Sequence, residues 1–207
     1  MIEIHEKMRS CRLCGLHRLR NNVVIGSGWP DSPIVFLGEA PGRDEDLQGE
    51  AFVGAAGRVL NRVLELLGLD RTRVWVTNVV HCRPTDDGRS NRAPTDEEMA
   101  ACRSWFEGDL KRVPRRLIVT LGNTPLRALT SEGGITKRHG RLITGYEIPI
   151  FPMFHPAYVL YRRDRADVYR QDIDRLQEVI NGMELLPAGE SDGDVEEPRR
   201  IEQLQLF

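Results

Sequence analysis

"SPIVFLGEAPGRDED", residues 32–46, runs an apolar, β-branched segment straight into two glycines, a proline and a cluster of carboxylates. A strand buried on both faces reads as a short continuous apolar run, and "IVFL" has that form. Glycine permits positive φ and lets a ligand approach the backbone closely, so the acidic stretch after the strand is either a solvated turn or the rim of a reaction centre.

Working outward, three more segments have the same character: "RVWVTNVV" (73–80), "RLIVTLG" (116–122) and "IPIFPMF" (148–154). Helical patterns separate the first three. "AGRVLNRVLELLG" places Val59, Leu60, Val63, Leu64 and Leu67 on one face and ends at Gly68. "TDEEMAACRSWFEGDLKR" opens with Thr95 and Glu98 at capping-box spacing. A last helix is expected over about 166–182. Alternating strands and helices predict an α/β protein with a central, mostly parallel, four-stranded sheet covered on both faces. Ligands bind such sheets outside the carboxyl ends of the strands. Those ends are "GEAPG", "TN", "LGNTP" and "HPAY", which should converge on one cleft.

The chain has 207 residues, 40% hydrophobic and 29% charged, enough for one sizeable domain and a short appendage. No apolar run approaches a membrane span, and "MIEIHEKMRS" lacks the features of a signal peptide, so a cytoplasmic location with reduced or ligated cysteines is expected. From Pro187 onward six acids face two arginines, a charge of −4, which leaves +2 of the net −2 on the rest. Basic stretches "KRVPRR" (111–116), "KRHGR" (137–141) and "YRRDR" (161–165) stud that body, and the last two flank the expected cleft, where they suit phosphate contact. The expected organisation is a catalytic domain over 1–186, a disordered acidic linker over 187–200, and an apolar peptide over 201–207.

Four cysteines, Cys11, Cys14, Cys82 and Cys102, form one CxxC pair and two dispersed singles. This set suits a four-thiolate metal site. Zinc ribbons carry two CxxC knuckles and the second is missing here, whereas iron–sulfur clusters accept dispersed ligands; spacing alone leaves the metal open.

Together "GEAPGRDED", "FVGAAG", "TNVVHCRP", "NRAP" and "HPAY" resemble, in order and spacing, the family-4 (iron–sulfur) uracil-DNA glycosylases, from Cys11 to about Ile180. The resemblance implies a three-layer α/β/α sandwich, a [4Fe–4S] cluster on the four cysteines, and hydrolysis of the uracil–deoxyribose bond in single- or double-stranded DNA. It implies that Glu39 orients the attacking water, that Glu45 stands near uracil C5 and excludes the methyl of thymine, and that Ala40 and Gly42 border the base. Ala40 occupies a position where other branches of the wider superfamily carry an aspartate, and Ala51 one where this family usually has proline.

The chemistry of the residues agrees. Asn78 can donate to uracil O4 and accept from N3–H, a pattern that cytosine inverts; a bidentate contact of this kind discriminates by about 1–3 kcal/mol. Phe52 offers a stacking face, and His155 can donate to the charge developing on O2. His5, His17, His81 and His139 are expected to be structural or exposed. No lysine stands among the motifs, so the enzyme is read as monofunctional, and "CRPTDDGRSNRAP" lacks the histidine that would suggest covalent trapping. Tyr158, Val159 or Leu160 is expected to wedge into the gap left by a flipped base, with Arg162 and Arg163 on phosphates. Two other functions stay open: a glycosylase of broader deaminated-base range, and an inactive iron–sulfur DNA-binding clamp adaptor. Finally, "QLQLF" resembles the short peptide with which bacterial repair proteins bind the sliding clamp, with Gln203 as hydrogen-bonding anchor and Leu204, Leu206 and Phe207 as apolar contacts. The protein is expected to act as a monomer on the nucleoid.

Overall fold

In the computed structural model, residues 2–185 are described. The expected linker (187–200) and peptide (201–207) lie outside them. In chain order the elements are α1 (Ile2–Arg9), β1 (Ser27–Gly28), β2 (Ile34–Gly38), α2 (Arg43–Gln48), α3 (Ala55–Leu66) and β3 (Trp75–Asn78). There follow α4 (Asp96–Leu110), β4 (Leu117–Leu121), α5 (Asn123–Thr130), α6 (Ile135–Arg138), β5 (Ile150–Met153), α7 (Pro156–Tyr161) and α8 (Ala166–Gly182).

The sheet has the order β1-β3-β2-β4-β5, and all neighbours except β1 are parallel. Each of the four expected segments forms a strand. The fifth strand, β1, corrects the four-stranded expectation: two residues pair antiparallel with Trp75 and Val76, and Trp29 N–H donates to the Val74 carbonyl at 2.9 Å. A Ser-Gly pair has no apolar run to announce it. Gly28 adopts φ 112°, and a side chain there would sit 2.1 Å from the Val74 carbonyl.

The parallel strands are buried on both faces, which is why they read as unbroken apolar runs. Ile34 and Phe36 point to the side of α3, α7 and α8, where Leu60, Leu64, Val159, Tyr169 and Leu176 complete one core. Val35 and Leu37 point to the other side, against Met8 of α1 and Phe106 and Leu110 of α4. Three layers result. No helix among the described residues is long and apolar enough to cross a membrane.

The segment between α1 and β1 lacks a long element of its own and is tied down by polar groups. Asp46 of α2, fully buried, accepts from the backbone N–H groups of Asn21 and Asn22 at 2.9 and 3.2 Å and from Asn21 Nδ2 at 2.6 Å. Val24 N–H donates to the His81 carbonyl at 2.8 Å, and His81 Nδ1–H donates back to the Val24 carbonyl at 3.0 Å. Thus one carboxylate of the acidic loop is a structural tie, and His81 is structural as expected.

Candidate active site

From β2 the chain passes to its neighbour β3, then crosses back to β4 on the other side, so the topology reverses between β2 and β4. Such a reversal leaves a crevice at the strand ends. A cavity of about 590 Å³ opens there, walled by Glu39, Phe52, Asn78, Asn91, Asn123 and His155. The ends of β2, β3, β4 and β5 do converge, as the motif positions predict.

Across the reversal, Thr124 Oγ1 donates to Glu39 Oε2 at 2.5 Å. That bond fixes one carboxylate oxygen and leaves Oε1 for a ligand. Thr124 lies in "LGNTP", one of the four strand-end loops; its hydroxyl was the available sign that it belongs to the site.

Asn78 ends β3 and is 2% exposed, and its Oδ1 is buried with no hydrogen-bond partner among the described residues. An unsatisfied buried acceptor costs about 1–3 kcal/mol, and Asn78 belongs to the cavity lining, where a bound donor can satisfy it. The strand exit around it is rigid, because Val79 and Val80 N–H donate to the Gly38 and Glu39 carbonyls, both at 3.0 Å. A Cβ at Gly38 would lie 2.3 Å from Asn78 Oδ1 and 2.5 Å from the Phe52 ring. The glycine after "IVFL" therefore makes room for two site side chains.

Phe52 adopts φ 57°, a left-handed conformation unfavourable for a bulky residue. Two neighbours hold it there. Arg71 donates to the Phe52 carbonyl at 2.7 Å and the Ala51 carbonyl at 3.3 Å, and Gly57 packs so closely that a Cβ would sit 1.7 Å from the Phe52 carbonyl. Burial lowers the Arg71 pKa, with Glu50 and Glu45 acting in the opposite sense. Arg71 stands in an ordinary-looking turn, and nothing in the sequence marks it.

Glu45 closes the loop on itself. Its Oε2 accepts from Gly42 N–H at 3.1 Å and its Oε1 from Gly54 N–H at 2.8 Å, which ties the Ala40–Gly42 wall to the start of α3. Opposite, Arg83 Nε donates to Asn91 Oδ1 at 2.6 Å, leaving the Asn91 Nδ2 donors toward Gly42 and the cavity. Asn91 belongs to "NRAP", a motif whose spacing was legible but whose chemistry was not.

His155 caps the N-terminus of α7: its Nδ1 accepts from Ala157 N–H at 3.1 Å. A ring nitrogen that accepts is unprotonated, so the neutral ring carries its proton on Nε2. Burial pushes the His155 pKa down to about 4, which keeps the ring neutral at ordinary pH. Its centroid is 6.0 Å from that of Phe52, the planes tilted by 31°.

Of the expected DNA-facing residues on α7, Val159 is corrected by the structure. It is fully buried in the core shared with α3 and α8, and no exposed face remains to enter a base stack. Tyr158 stacks on Phe154 with centroids 4.9 Å apart, and both it and Leu160 pack partly against the core. Arg162 is held by Asp164 at 2.9 Å, while Arg163 is exposed.

The four cysteines gather from Cys11 and Cys14 beyond α1, Cys82 beyond β3 and Cys102 in α4. All are free thiols. Cys14, Cys82 and Cys102 share one apolar cluster with Trp105. Trp105 Nε1–H donates to Cys11 Sγ at 3.2 Å; Arg20 donates to Cys82 Sγ at 3.1 Å and to the Cys11 carbonyl at 2.7 Å. Burial pushes the Cys102 thiol up to about 12 and raises that of Cys82, and in both the neighbouring cysteines add to the rise. Among the described residues no three ligating groups close on a single ion. Four thiols gathered with N–H donors aimed at two sulfurs fit a multi-iron cluster, whose thiolates stand further apart than the ligands of one ion.

The model of the uracil DNA glycosylase superfamily matches residues 25–177. The type-4 uracil-DNA glycosylase of Sulfurisphaera tokodaii is 38% identical over 187 residues, 86% of this chain and 83% of that one. The type-4 enzyme of Thermotoga maritima is also 38% identical, over 86% of this chain and 93% of its own. This chain belongs to the type-4 uracil-DNA glycosylases. A type-5 uracil-DNA glycosylase of Thermus thermophilus is 34% identical over 56% of this chain and 60% of its own.

The clamp on Phe52 is directly testable. Gly57→Ala should destabilise the fold by about 1–3 kcal/mol through overpacking. Arg71→Met should cost about 1–3 kcal/mol by leaving two carbonyls without their donor. Both are read as shifts of the urea midpoint, and a wild-type midpoint for Arg71→Met would show that the guanidinium does not hold the turn.

Proposed function

We propose that this protein hydrolyses the N-glycosidic bond of deoxyuridine in single- or double-stranded DNA, releasing uracil and leaving an abasic site for base-excision repair. The observation that carries this reading is the partnerless Asn78 Oδ1 at the floor of the cavity. Uracil N3–H is the donor that satisfies it, while the Asn78 amide N–H meets uracil O4. Cytosine would set its N3 lone pair against Oδ1, and the resulting mismatch accounts for its rejection. To reach such a pocket a base must leave the stack, and Phe52 receives one face of it.

Bond cleavage sends electrons onto the uracil, with charge growing on O2. His155 presents Nε2–H from a ring that is already neutral, so it stabilises that charge as a hydrogen-bond donor rather than as a cation. Glu39, fixed through Thr124, keeps Oε1 to orient water and to steady positive charge on the sugar. Among the described residues no lysine lines the cavity, in keeping with a monofunctional hydrolase that forms no Schiff base. Glu45 borders uracil C5 and acts against thymine by holding the Gly42 wall in place through its two amide bonds.

Cys11, Cys14, Cys82 and Cys102 hold a [4Fe–4S] cluster in this reading, with Arg20 and Trp105 donating to two of its thiolates. When bound, the cluster supplies a covalent tie among the N-terminal segment, the β3 exit and α4. The peptide 201–207 attaches the enzyme to a sliding clamp, raising its local concentration on replicating DNA.

Asn78→Ala and His155→Ala should each slow single-turnover uracil release by about 10²–10³-fold in protein that still unfolds cooperatively. Near wild-type rates in either variant would sink the assignment. In wild type, ¹H–¹⁵N NMR at neutral pH should show the Nε2–H tautomer of His155. Its native pKa lies below the unfolded value, so stability is lost as pH falls from about 6.5 to about 4 while the unfolded ring takes up a proton. A titration of the native ring near 6.5 contradicts the neutral-donor role.

Anaerobically purified protein should be brown and contain iron and sulfide, and Arg20→Gln with Trp105→Phe should shed iron faster in air. Stoichiometric zinc without iron overturns the cluster. A synthetic "IEQLQLF" peptide should bind a bacterial clamp, and removal of residues 203–207 should abolish clamp binding while sparing excision on short oligonucleotides. Equal clamp binding by full-length and shortened protein would place the attachment elsewhere.

A further inference from the structure

No residue of "KRVPRR" (111–116) lines the active-site cavity. The stretch borders a second concavity, a groove of about 350 Å³ between α4, α5 and the approach to β5. Its floor is apolar, built from Phe106, Leu110, Ile118, Leu129 and Ile148, with the exposed ring of Tyr146 at the mouth. Leu129 and Ile148 are only half-buried, so apolar surface there is left to water. The rim sets Arg103, Lys111 and Arg115 against Glu107 and Glu147. Each carboxylate is taken by an arginine, Glu107 by Arg103 at 2.7 Å and Glu147 by Arg115 at 3.0 Å, which leaves exposed Lys111 to set the sign of the rim. Ile118 and Ile150 belong to the amino ends of β4 and β5, whereas the active-site cavity opens at the carboxyl ends.

The described part of the chain ends beside this groove. Arg116 donates to the carbonyls of Met183 and Glu184 at 3.0 and 3.5 Å, and its neighbour Arg115 stands on the rim. Fifteen residues, 186–200, separate that point from Ile201, and extended they reach about 50 Å. From Pro187 to Pro198 they carry five acids and no base, while "KRVPRR" carries four bases and no acid. The apolar "IEQLQLF" follows directly. Charge, reach and hydrophobicity therefore match within one chain. We propose that residues 201–207 dock in the α4–α5 groove of their own chain, with Leu204, Leu206 and Phe207 on its floor and the acids of 187–198 along "KRVPRR". Docking takes apolar surface of both partners out of water. The tether makes the event intramolecular, so a weak contact suffices to hold it. One consequence rests on the clamp reading above: groove and clamp compete for a single peptide, and apparent clamp affinity falls with the fraction of undocked peptide.

The test is amide hydrogen exchange on full-length wild type, a tail variant (Leu206→Asp with Phe207→Asp) and a groove variant (Leu129→Asp). In wild type, residues 201–207 should exchange roughly tenfold more slowly than the synthetic "IEQLQLF" peptide. Residues 128–129 and 146–148 should exchange more slowly in wild type than in the tail variant. Both variants should lose the protection of the tail. The tail variant leaves every described residue unchanged, so it decides the matter even if Leu129→Asp fails to fold. Absence of protection in the wild-type tail, or a protected tail with no change at the groove, overturns the proposal. Protection that grows with protein concentration assigns the tail to a second copy and overturns it as well. For the consequence, Leu129→Asp should bind a bacterial clamp roughly tenfold more tightly than wild type. If neither protein binds the clamp, the clamp reading fails, while the exchange result still decides the docking.

Discussion

At position 38 there is no space for a side chain, because Asn78 Oδ1 and the Phe52 ring stand 2.3 and 2.5 Å from where a Cβ would be. That vacancy lets two strand ends and the Phe52 turn meet at one point. β2 ends there, the β3 exit packs its asparagine over it, and the Phe52 turn lays its ring across it. Any larger residue would push the amide or the ring out of the cavity while leaving the sheet intact. The constraint belongs to ligand chemistry more than to folding, since a glycine at the end of a central strand contributes nothing to the core.

The surrounding groups work against their own intrinsic preferences. Phe52 holds a positive φ, Asn78 holds an unpaired buried oxygen, and His155 holds a neutral ring with its pKa near 4. Each costs free energy in the empty protein, and each is fixed by neighbours whose role is purely positional: Arg71 and Gly57 for Phe52, the β2–β3 ladder for Asn78, the helix cap for His155. Donors and acceptors set beforehand need no reorganisation when charge moves, which is the main source of transition-state stabilisation in sites of this kind. The strain is local because it is offset by a sheet buried on both faces.

The alternation of apolar strands and periodic helices made the parallel sheet legible, since each buried strand is a continuous hydrophobic run. The convergence of its loops followed from topology. What escaped was whatever depends on a partner distant in sequence. β1 is held by β3 hydrogen bonds and has no pattern of its own. Arg71 and Arg20 act on carbonyls and a sulfur through folded geometry, and an arginine in a turn looks the same whether it pins a strained residue or faces water. Val159 was misread because "AYVLYRR" looks like a tip while the chain there forms a helix, whose inward face must be apolar. Asp46 and Glu45 show the same limit: an acidic loop reads as one cluster, yet Asp46 is a buried tie, Glu45 braces the loop and Glu39 is fixed across the cleft by Thr124.

Cys82 follows Asn78 by four residues on the same strand exit, and His81 between them is zipped to the N-terminal segment through Val24. The segment that carries Cys11 and Cys14 has few apolar contacts of its own, with Met8 and Leu16 as its main buried anchors before Val23. Its placement therefore depends on polar ties: Asp46 to Asn21 and Asn22, and Arg20 to Cys82 and the Cys11 carbonyl. Four thiols brought together with a guanidinium and an indole N–H among them form a site arranged for anionic sulfur. Buried as neutral thiols, they would leave the positive charge of Arg20 facing uncharged partners. A cluster held by them would convert those contacts to charge-assisted ones and would tie the N-terminal segment to the β3 exit. The thiol of Cys82 and the amide of Asn78 are in this way set by one stretch of backbone.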